Sequence, residues 1–279
     1  MSPPIATPRS RALGFGLRKT RKERGMGLRE LARATGVHPA ELSNWELGLR
    51  VPKVEEVALL LGQLRVGVAE RERLFELAEY AREPNWLEKD MPDAPAILTT
   101  LAEYERTAVS IVSWQPMVVH GLLQTADYAR AILAYGGSPA ELVEQRLRVR
   151  MIRQAAIRAH RAPQCIFLLS EIALRQRIGG TETLLDQLRY LLDLPPKLAV
   201  RVVPSGGDFH PGLNGSFAVL EYSDLPSIVF LDQHRGSAYI YDEDQVADYK
   251  SAAKTVTSLA LDADASRARV EGVIAELEA

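Results

Sequence analysis

The residues with the clearest chemical potential lie in the segment 38–44, which reads HPAELSN. Pro39 suits the first turn of a helix, where its missing N–H is not needed. In such a helix Leu42 and Trp45 stand three apart and belong to the buried face. Asn44 then faces outward, and its carboxamide can bond N6 and N7 of adenine together. The alternative is a solvated helix residue, and the residues alone leave both interpretations open.

The segment ahead of this helix predicts the element that positions it. LRELARATG ends in Gly36, which tolerates the positive φ that two steeply crossing helices need at their turn. The two segments together have the layout of a helix-turn-helix, whose second helix can enter a DNA major groove. We predict five helices in this part of the chain, from about 9 or 11 to 24 and at about 28–35, 39–47, 53–62 and 69–82.

The charge distribution supports the same interpretation. Residues 1–53 hold 11 Lys and Arg against 4 Asp and Glu, a net charge of +7, whereas the other 226 residues hold 23 against 32, a net charge of −9. A basic segment on an acidic body is typical of a DNA-binding protein, because the cations neutralise phosphates. Besides the N-termini of the second and fourth helices, we expect phosphate contacts from Arg18, Arg29, Arg50 and Lys53.

A set of positions between residues 17 and 52 fits one known pattern without a gap in the motif. These positions are Leu17, Arg18, Arg21, Gly25, Glu30, Leu31, Ala32, Gly36, Val37, Leu42, Ser43, Trp45, Glu46, Gly48, Arg50 and Pro52. They resemble the Cro/phage-repressor-like (xenobiotic-response-element, XRE) helix-turn-helix family. The resemblance implies a structural ion pair between Arg21 and Glu46. It implies a base-reading surface made of His38, Pro39, Ala40, Ser43 and Asn44.

The sequence departs from this family at positions that read DNA. Leu28 stands where a glutamine usually meets a phosphate, and Pro39 and Ala40 replace two long polar side chains. Fewer polar readers imply modest specificity per half-site or more reliance on DNA shape. A dimer on half-sites about one helical turn apart is the natural remedy, and we expect one.

Composition predicts the domain boundaries. Residues 1–8 contain three prolines and are predicted to be a disordered arm, followed by a DNA-binding domain at 9–83. The segment 84–96 combines three prolines with charges and is predicted to be a linker. The second domain then covers residues 97–279.

The second domain alternates helical and extended patterns. It is predicted to begin with a helix at about 97–112, and to include an arginine-rich helix that reaches about 159 and a strand at CIFLLSE. After two prolines at 195–196, the hydrophobic pattern changes to period two in LAVRVVP, GSFAVLEY, SIVFLDQ and SAYIYDE. The expected fold class is mainly α with α+β: a five-helix lambda-repressor-like domain, then an α+β domain with a small, mainly antiparallel sheet.

Several motifs of the second domain also resemble a known family. They include HGLLQTADYARAIL, RLRVRMIRQ, SEIALRQRIGG and VRVVPSGGDFHPGLNGSFAVLEY. They look like a domain of unknown function that follows this helix-turn-helix in antitoxin-like regulators of actinomycetes. The resemblance implies a short protein partner encoded nearby. His120 departs from the family, which usually has proline there.

The residues give no sign of an enzyme in the second domain. The five histidines lack metal-ligand spacing, the glycine-rich loop SGGDFHPGLNG lacks the Gly-Lys-Ser/Thr of a phosphate-binding loop, and no metal or cofactor is expected. The single cysteine, Cys165, lies in an apolar run and is expected to be buried. His210 and Asn214 could form the lip of a small pocket.

One arginine-rich helix face could bind an anion or an acidic partner. Arg146, Arg150 and Arg153 share this face at spacings of four and three. The alternative is a solvated face that pairs with acidic side chains of the same domain.

These observations predict a sequence-specific transcriptional regulator without enzymatic activity. We expect a homodimer that occupies a palindromic operator on double-stranded DNA as a repressor or activator, and senses a small protein partner or a small-molecule effector. The alternative is an antitoxin that neutralises a short partner protein and represses its own operon. No run approaches 18 apolar residues, so no membrane segment is expected, and the location should be cytoplasmic and nucleoid-associated.

Overall fold

The computed structural model describes residues 7–81, 87–89, 95–159, 162–233 and 236–279. The chain divides into two units. The first comprises Met1–Thr107 and Gln233–Tyr239, and the second comprises Ala108–Asp232 and Ile240–Ala279. The chain therefore passes between the units at three places along the sequence.

All five helices expected in the N-terminal part are present in the first unit. They are α1 (Pro8–Glu23), α2 (Leu28–Thr35), α3 (Pro39–Glu46), α4 (Val54–Gln63) and α5 (Val68–Tyr80). Helix α1 begins at Pro8 because Thr7 and Ser10 form a reciprocal capping box at its start. Residues 1–6 of the predicted disordered arm lie outside the described residues, whereas Thr7 and Pro8 belong to the start of α1.

The first unit also contains a helix that the sequence had assigned to the second domain. This helix is α6 (Pro95–Thr107). Its Tyr104 hydroxyl donates a hydrogen bond to the carbonyl of Pro8 at 2.5 Å. The Tyr104 ring lies 5.7 Å from that of Phe15 and 5.3 Å from that of Tyr239. These contacts join residues that are distant in the sequence, which is why helical periodicity and the proline-rich segment did not indicate them.

Part of the predicted linker at 84–96 has regular structure. Residues 87–89 form the short strand β1 (Leu87–Lys89), which pairs antiparallel with residues 236–238 of β7 (Gly236–Ile240). Residues 84–86 and 90–94 lie outside the described residues. Because β7 comes from a distant part of the sequence, the first unit is built from two separate stretches of chain.

A buried carboxylate anchors α6 within the first unit. Glu103 is 1% exposed and accepts hydrogen bonds from the guanidinium groups of Arg73 and Arg106. Its side chain also packs so close to α1 that position 16 has room only for a glycine. A Cβ atom at Gly16 would stand 2.5 Å from the Glu103 carboxylate. Burial, followed by the charge of Arg106, lowers the pKa of nearby Lys19 to about 8. Glu103 thus balances a crowded group of cations.

The second unit is an α+β domain. Its helices are α7 (Ala126–Leu133), α8 (Ala140–Arg158), α9 (Thr181–Leu192), α10 (Glu243–Leu259) and α11 (Ala263–Glu278). Its strands are β2 (Ser110–Gln115), β3 (Gln164–Ser170), β4 (Leu198–Val203), β5 (Phe217–Glu221) and β6 (Ile228–Gln233). Three 3₁₀ turns lie at Gly121–Leu123, Glu171–Arg175 and Pro211–Asn214.

The strands of the second unit form a mixed sheet in the order β6-β5-β2-β3-β4. The pairs β2–β3 and β3–β4 are parallel, and the pairs β2–β5 and β5–β6 are antiparallel. The expected fold class is therefore confirmed, with helices in the N-terminal region and an α+β domain after it. Residues 110–112, expected at the end of a helix, instead begin β2, because hydrogen bonds from strands on both sides of it outweigh local preference.

Both faces of this sheet are covered. Trp114, Leu168 and Phe217 pack with Val246 and Val256 of α10 on one face. Cys165 points to the opposite face and is buried, as predicted from its apolar surroundings. Because both faces of the sheet are covered, the sequence of β3 is a nearly continuous apolar run.

We predict that Glu103→Gln destabilises the packing of α6, because it leaves two cations without their shared carboxylate. The loss should lie near the low end of the roughly 3–5 kcal/mol for a broken buried pair, since both arginine side chains are about a quarter exposed. Native-state hydrogen exchange on the full chain measures the opening free energy of α6. Glu79→Gln, at an exposed position of α5, is the matched control. Equal opening free energies in both variants would show that Glu103 does not anchor the helix.

Candidate nucleic-acid interface

The turn between α2 and α3 has the geometry that the sequence predicts. Gly36 adopts a φ of 72° in the left-handed region at the end of α2. Helix α3 then begins at Pro39, and the Nδ1 atom of His38 accepts a hydrogen bond from the N–H of Ala40 at 3.3 Å. His38 therefore caps the helix through one ring nitrogen.

Helix α3 has a buried face and an accessible face. Leu42 and Trp45 are 0% and 2% exposed. His38 and Ala40 are exposed, and Pro39, Ser43 and Asn44 are partly exposed. Within the described residues, the carboxamide of Asn44 has no hydrogen-bond partner, so both of its hydrogen-bonding atoms are available. The five residues of the predicted base-reading surface thus lie on the accessible side of one short helix.

An ion pair fixes the end of α3 to α1. Nε of Arg21 lies 2.6 Å from Oε1 of Glu46, and Nη2 of Arg21 lies 2.7 Å from Oε2. Both side chains are almost completely buried. Nη1 of Arg21 also donates to the carbonyl of Met26 at 2.9 Å, which ties down the chain just before α2. This two-point geometry suits arginine and excludes lysine as an equivalent.

A glycine contact brings the backbones of α1 and α3 close together. A Cβ atom at Gly14 would stand 2.3 Å from the carbonyl oxygen of Trp45. Gly48, which follows α3, has a φ of 68°, and a Cβ atom there would stand 2.4 Å from Cα of Arg11. Sequence reasoning missed Gly14, because a glycine inside a helix carries no local sign of a close tertiary approach.

The predicted phosphate-binding side chains differ in their environments. Arg29, Arg50 and Lys53 are exposed. Arg18 lies 3.4 Å from Glu46 through Nη1, and its side chain is only 20% exposed. Arg18 therefore also contributes to the buried ion pair, whereas the other three are accessible to a ligand.

Carboxylates of the protein already accept hydrogen bonds from backbone N–H groups at the N-termini of α2 and α4. The N–H of Gly27 donates to the Glu30 carboxylate at 3.1 Å, and the N–H of Lys53 donates to the Glu56 carboxylate at 2.5 Å. A carboxylate at a helix start competes with a phosphate for the same positive end. These helix ends are consequently weaker anion sites than helix N-termini without a carboxylate, although phosphate contacts were expected there.

The arginine-rich face predicted in the second domain lies on α8. Arg153 is buried, and Arg146 and Arg150 are partly exposed. His210 lies with its ring 5.8 Å from that of Trp114, and Asn214 ends the third 3₁₀ turn. Trp114 donates from Nε1 to the carbonyl of Gly212 at 2.7 Å, so this loop is fixed against the end of β2.

His120, where the sequence departs from the expected proline, caps the first 3₁₀ turn. Its Nδ1 accepts the N–H of Leu122 at 3.1 Å, and its ring lies 4.9 Å from that of Phe167. Burial, followed by the charges of Arg153 and Arg150, lowers the pKa of His120 to about 3. The imidazole is therefore neutral at physiological pH and adds no charge to the arginine-rich face.

Within the described ranges, no three His, Cys, Asp or Glu side chains are grouped closely enough to hold a metal ion. Among the same residues, every helix is too short or too polar to cross a membrane.

Two family models match the chain. A helix-turn-helix family matches residues 17–71, from the second half of α1 into α5. A family described as a domain of unknown function, DUF5753, matches residues 98–272, from α6 into α11. No curated protein and no solved structure matched the chain. The second match covers more than half of the chain, and the first contains the whole of α2, the turn and α3.

We predict that Gly14→Ala destabilises the first unit, because the added methyl group meets backbone atoms that cannot move aside. The cost should reach the upper part of the roughly 1–3 kcal/mol typical of overpacking. Gly62→Ala is the matched control, since its Cβ meets open space in a helix and should stabilise by about 0.5–1 kcal/mol. Hydrogen exchange of α1 and α3 amides measures both effects. A Gly14→Ala protein as stable as Gly62→Ala would contradict the close approach.

Proposed function

Since the chain belongs to the DUF5753 family and carries a helix-turn-helix domain ahead of the matched region, we propose that it is a sequence-specific transcriptional regulator that binds double-stranded DNA. The helix-turn-helix match supports a DNA-binding regulator. The single observation that carries the proposal is that His38 and Ala40 are exposed and Asn44 partly exposed on a helix whose other face is buried.

The chemistry of α3 favours recognition of bases by few direct contacts. Asn44 offers a donor and an acceptor to adenine, and Ala40 offers a methyl group to the methyl group of thymine. His38 retains its Nε2 atom for hydrogen bonding while Nδ1 caps the helix. Pro39 and Ser43 complete the proposed base-reading surface, and Arg29, Arg50 and Lys53 provide charge for phosphates.

We propose that the protein acts as a dimer on a palindromic operator. One α3 helix offers few polar readers, so a single half-site would give limited affinity and specificity. A two-fold symmetric dimer places a second α3 helix on a second half-site, which raises both affinity and specificity. In this proposal the protein acts on DNA in the cytoplasm, has no catalytic role, and its occupancy of the operator shifts when the second unit binds a ligand or protein.

An antitoxin that neutralises a short protein is the second candidate. One observation favours a protein partner: Phe209 and Leu213, in the loop after β4, are 75% and 60% exposed. The two residues are four apart in one loop, and a contiguous exposed apolar patch often marks a binding surface. A stable complex purified with a short protein, together with DNA selection that shows no preferred site, would favour this candidate over the regulator.

We predict that selection from random duplex DNA, at near-physiological salt, enriches a palindromic site with the wild-type protein. With the same DNA pool, Asn44→Ala should lose the base preference at one base pair per half-site. The lost discrimination should be about 1–3 kcal/mol. Gln63→Ala removes an exposed amide from α4 instead and should select the wild-type site. A folded wild-type protein that enriches no site would contradict the proposal, and an unchanged Asn44→Ala site would exclude this side chain as a base reader.

A further inference from the structure

The carboxyl ends of four strands meet at one edge of the sheet in the second unit. Strands β2, β3 and β4 are parallel, so their carboxyl ends meet at the same edge. Strand β5 is antiparallel to both β2 and β6, so β6 ends at that edge too, with Asp232 near its end. In open sheets with parallel strands, ligands bind in the crevice outside the carboxyl ends.

Arg150 of α8 packs against the first 3₁₀ turn, which follows the end of β2 along the chain. A Cβ atom at Gly121 would stand 3.7 Å from its Nε and 3.8 Å from its Cζ, so the guanidinium faces bare backbone there. Its Nη1 atom donates to the carboxamide oxygen of Gln124. Gln124 is itself held, because its Nε2 donates to the carbonyl of Val119 at 2.7 Å and its own carbonyl accepts from Gln154 at 2.8 Å. The guanidinium is therefore pre-positioned.

The surroundings of Arg150 carry an excess of positive charge. Burial, followed by the charge of Arg153 and, more weakly, that of Arg146, lowers the pKa of Arg150 to about 10, while Asp232 opposes the shift. Gln124 is neutral, and so is His120 at physiological pH. The side chain of Arg150 donates to an uncharged amide, and two further arginines add positive charge around it, so the Arg150 guanidinium favours an added anion.

We propose that Arg150 forms the centre of an oxyanion-binding site at this edge, which takes a phosphate or carboxylate group of a small-molecule effector. Arg146 and Arg153 flank it at one turn on either side, and the planar guanidinium suits two-point recognition of such a group. This inference deepens the proposed function, because it names the chemistry of the ligand that the regulator senses, and it rests on that function.

The position of Asp232 gives the site a connection to the first unit along the chain. Asp232 is the last residue of the second unit before the chain enters Gln233–Tyr239 of the first. Ser216 donates from its hydroxyl to the Asp232 carbonyl at 3.4 Å. The Asp232 charge acts on Arg150, and the segment that follows Asp232 ends in Tyr239, whose ring lies 5.3 Å from that of Tyr104 of α6.

The test measures anion binding by the full chain with isothermal titration calorimetry, using inorganic phosphate, pyrophosphate and citrate as probes. Chloride at matched ionic strength controls for general salt effects. Wild type should bind at least one probe, and preference for pyrophosphate or for citrate distinguishes a phosphate from a carboxylate ligand. Arg150→Gln should bind about tenfold or more weakly, since it loses a charged hydrogen bond.

Two further variants guard against loss of folding. Arg150→Lys keeps the positive charge but lacks the planar guanidinium that binds at two points, so it should bind the probes with intermediate affinity. Arg148→Gln removes an exposed arginine from another face of α8 and should bind like wild type. Circular dichroism of each variant establishes that it is folded. Equal affinity in Arg150→Gln and wild type, or no binding of any probe by wild type at tens of millimolar, would overturn the proposal.

DNA selection with the same proteins separates this inference from the proposed function. Probe binding that depends on Arg150 in a protein that selects no DNA site would support the oxyanion site and contradict the regulator. A selected DNA site together with no probe binding would support the regulator and overturn the oxyanion site.

Discussion

The placement of α3 depends on its attachment to α1. Two backbones approach closely at Gly14 and Gly48, and the buried pair of Arg21 and Glu46 fixes the same junction with two hydrogen bonds. A helix of eight residues is too short to be stable by itself, so its direction comes from these contacts. This buried ion pair fixes the orientation of the two helices. It adds little net stability, because the cost of desolvating both charges offsets much of their attraction. Any DNA-reading surface on α3 inherits its orientation from α1.

Helix α1 is in turn held by α6, which belongs to the region matched by DUF5753. Tyr104 binds the start of α1, and Glu103 fills the space that Gly16 leaves. The family boundary at residue 98 therefore falls inside a helix that packs in the first unit. Helix α6 and the segment Gln233–Tyr239 are both continuous in sequence with the second unit.

Sequence reasoning located the helices of the first unit and the turn at Gly36, because amphipathic spacing and positive φ are local properties. The accessible face of α3 followed from the spacing of Leu42 and Trp45. The parallel pairing of β2 with β3, the strand at residues 110–112 and the packing of α6 depend on distant residues, so local patterns did not predict them. The same holds for Gly14, whose importance comes from a neighbouring backbone. Base contacts, dimerisation and the ligand of the second unit stay proposals.

The central claim is that the accessible face of α3 lies against DNA bases. Cys165 is buried, so Ala40→Cys gives the folded protein one accessible thiol, and Gln63→Cys gives one on α4 instead. Each thiol can carry a short photo-crosslinker, and the crosslinked bases in random-sequence duplex DNA can then be mapped. The account predicts major-groove crosslinks from Ala40→Cys and far fewer from Gln63→Cys. Equal crosslinking from both positions, or none from Ala40→Cys in a protein that binds DNA, would contradict it.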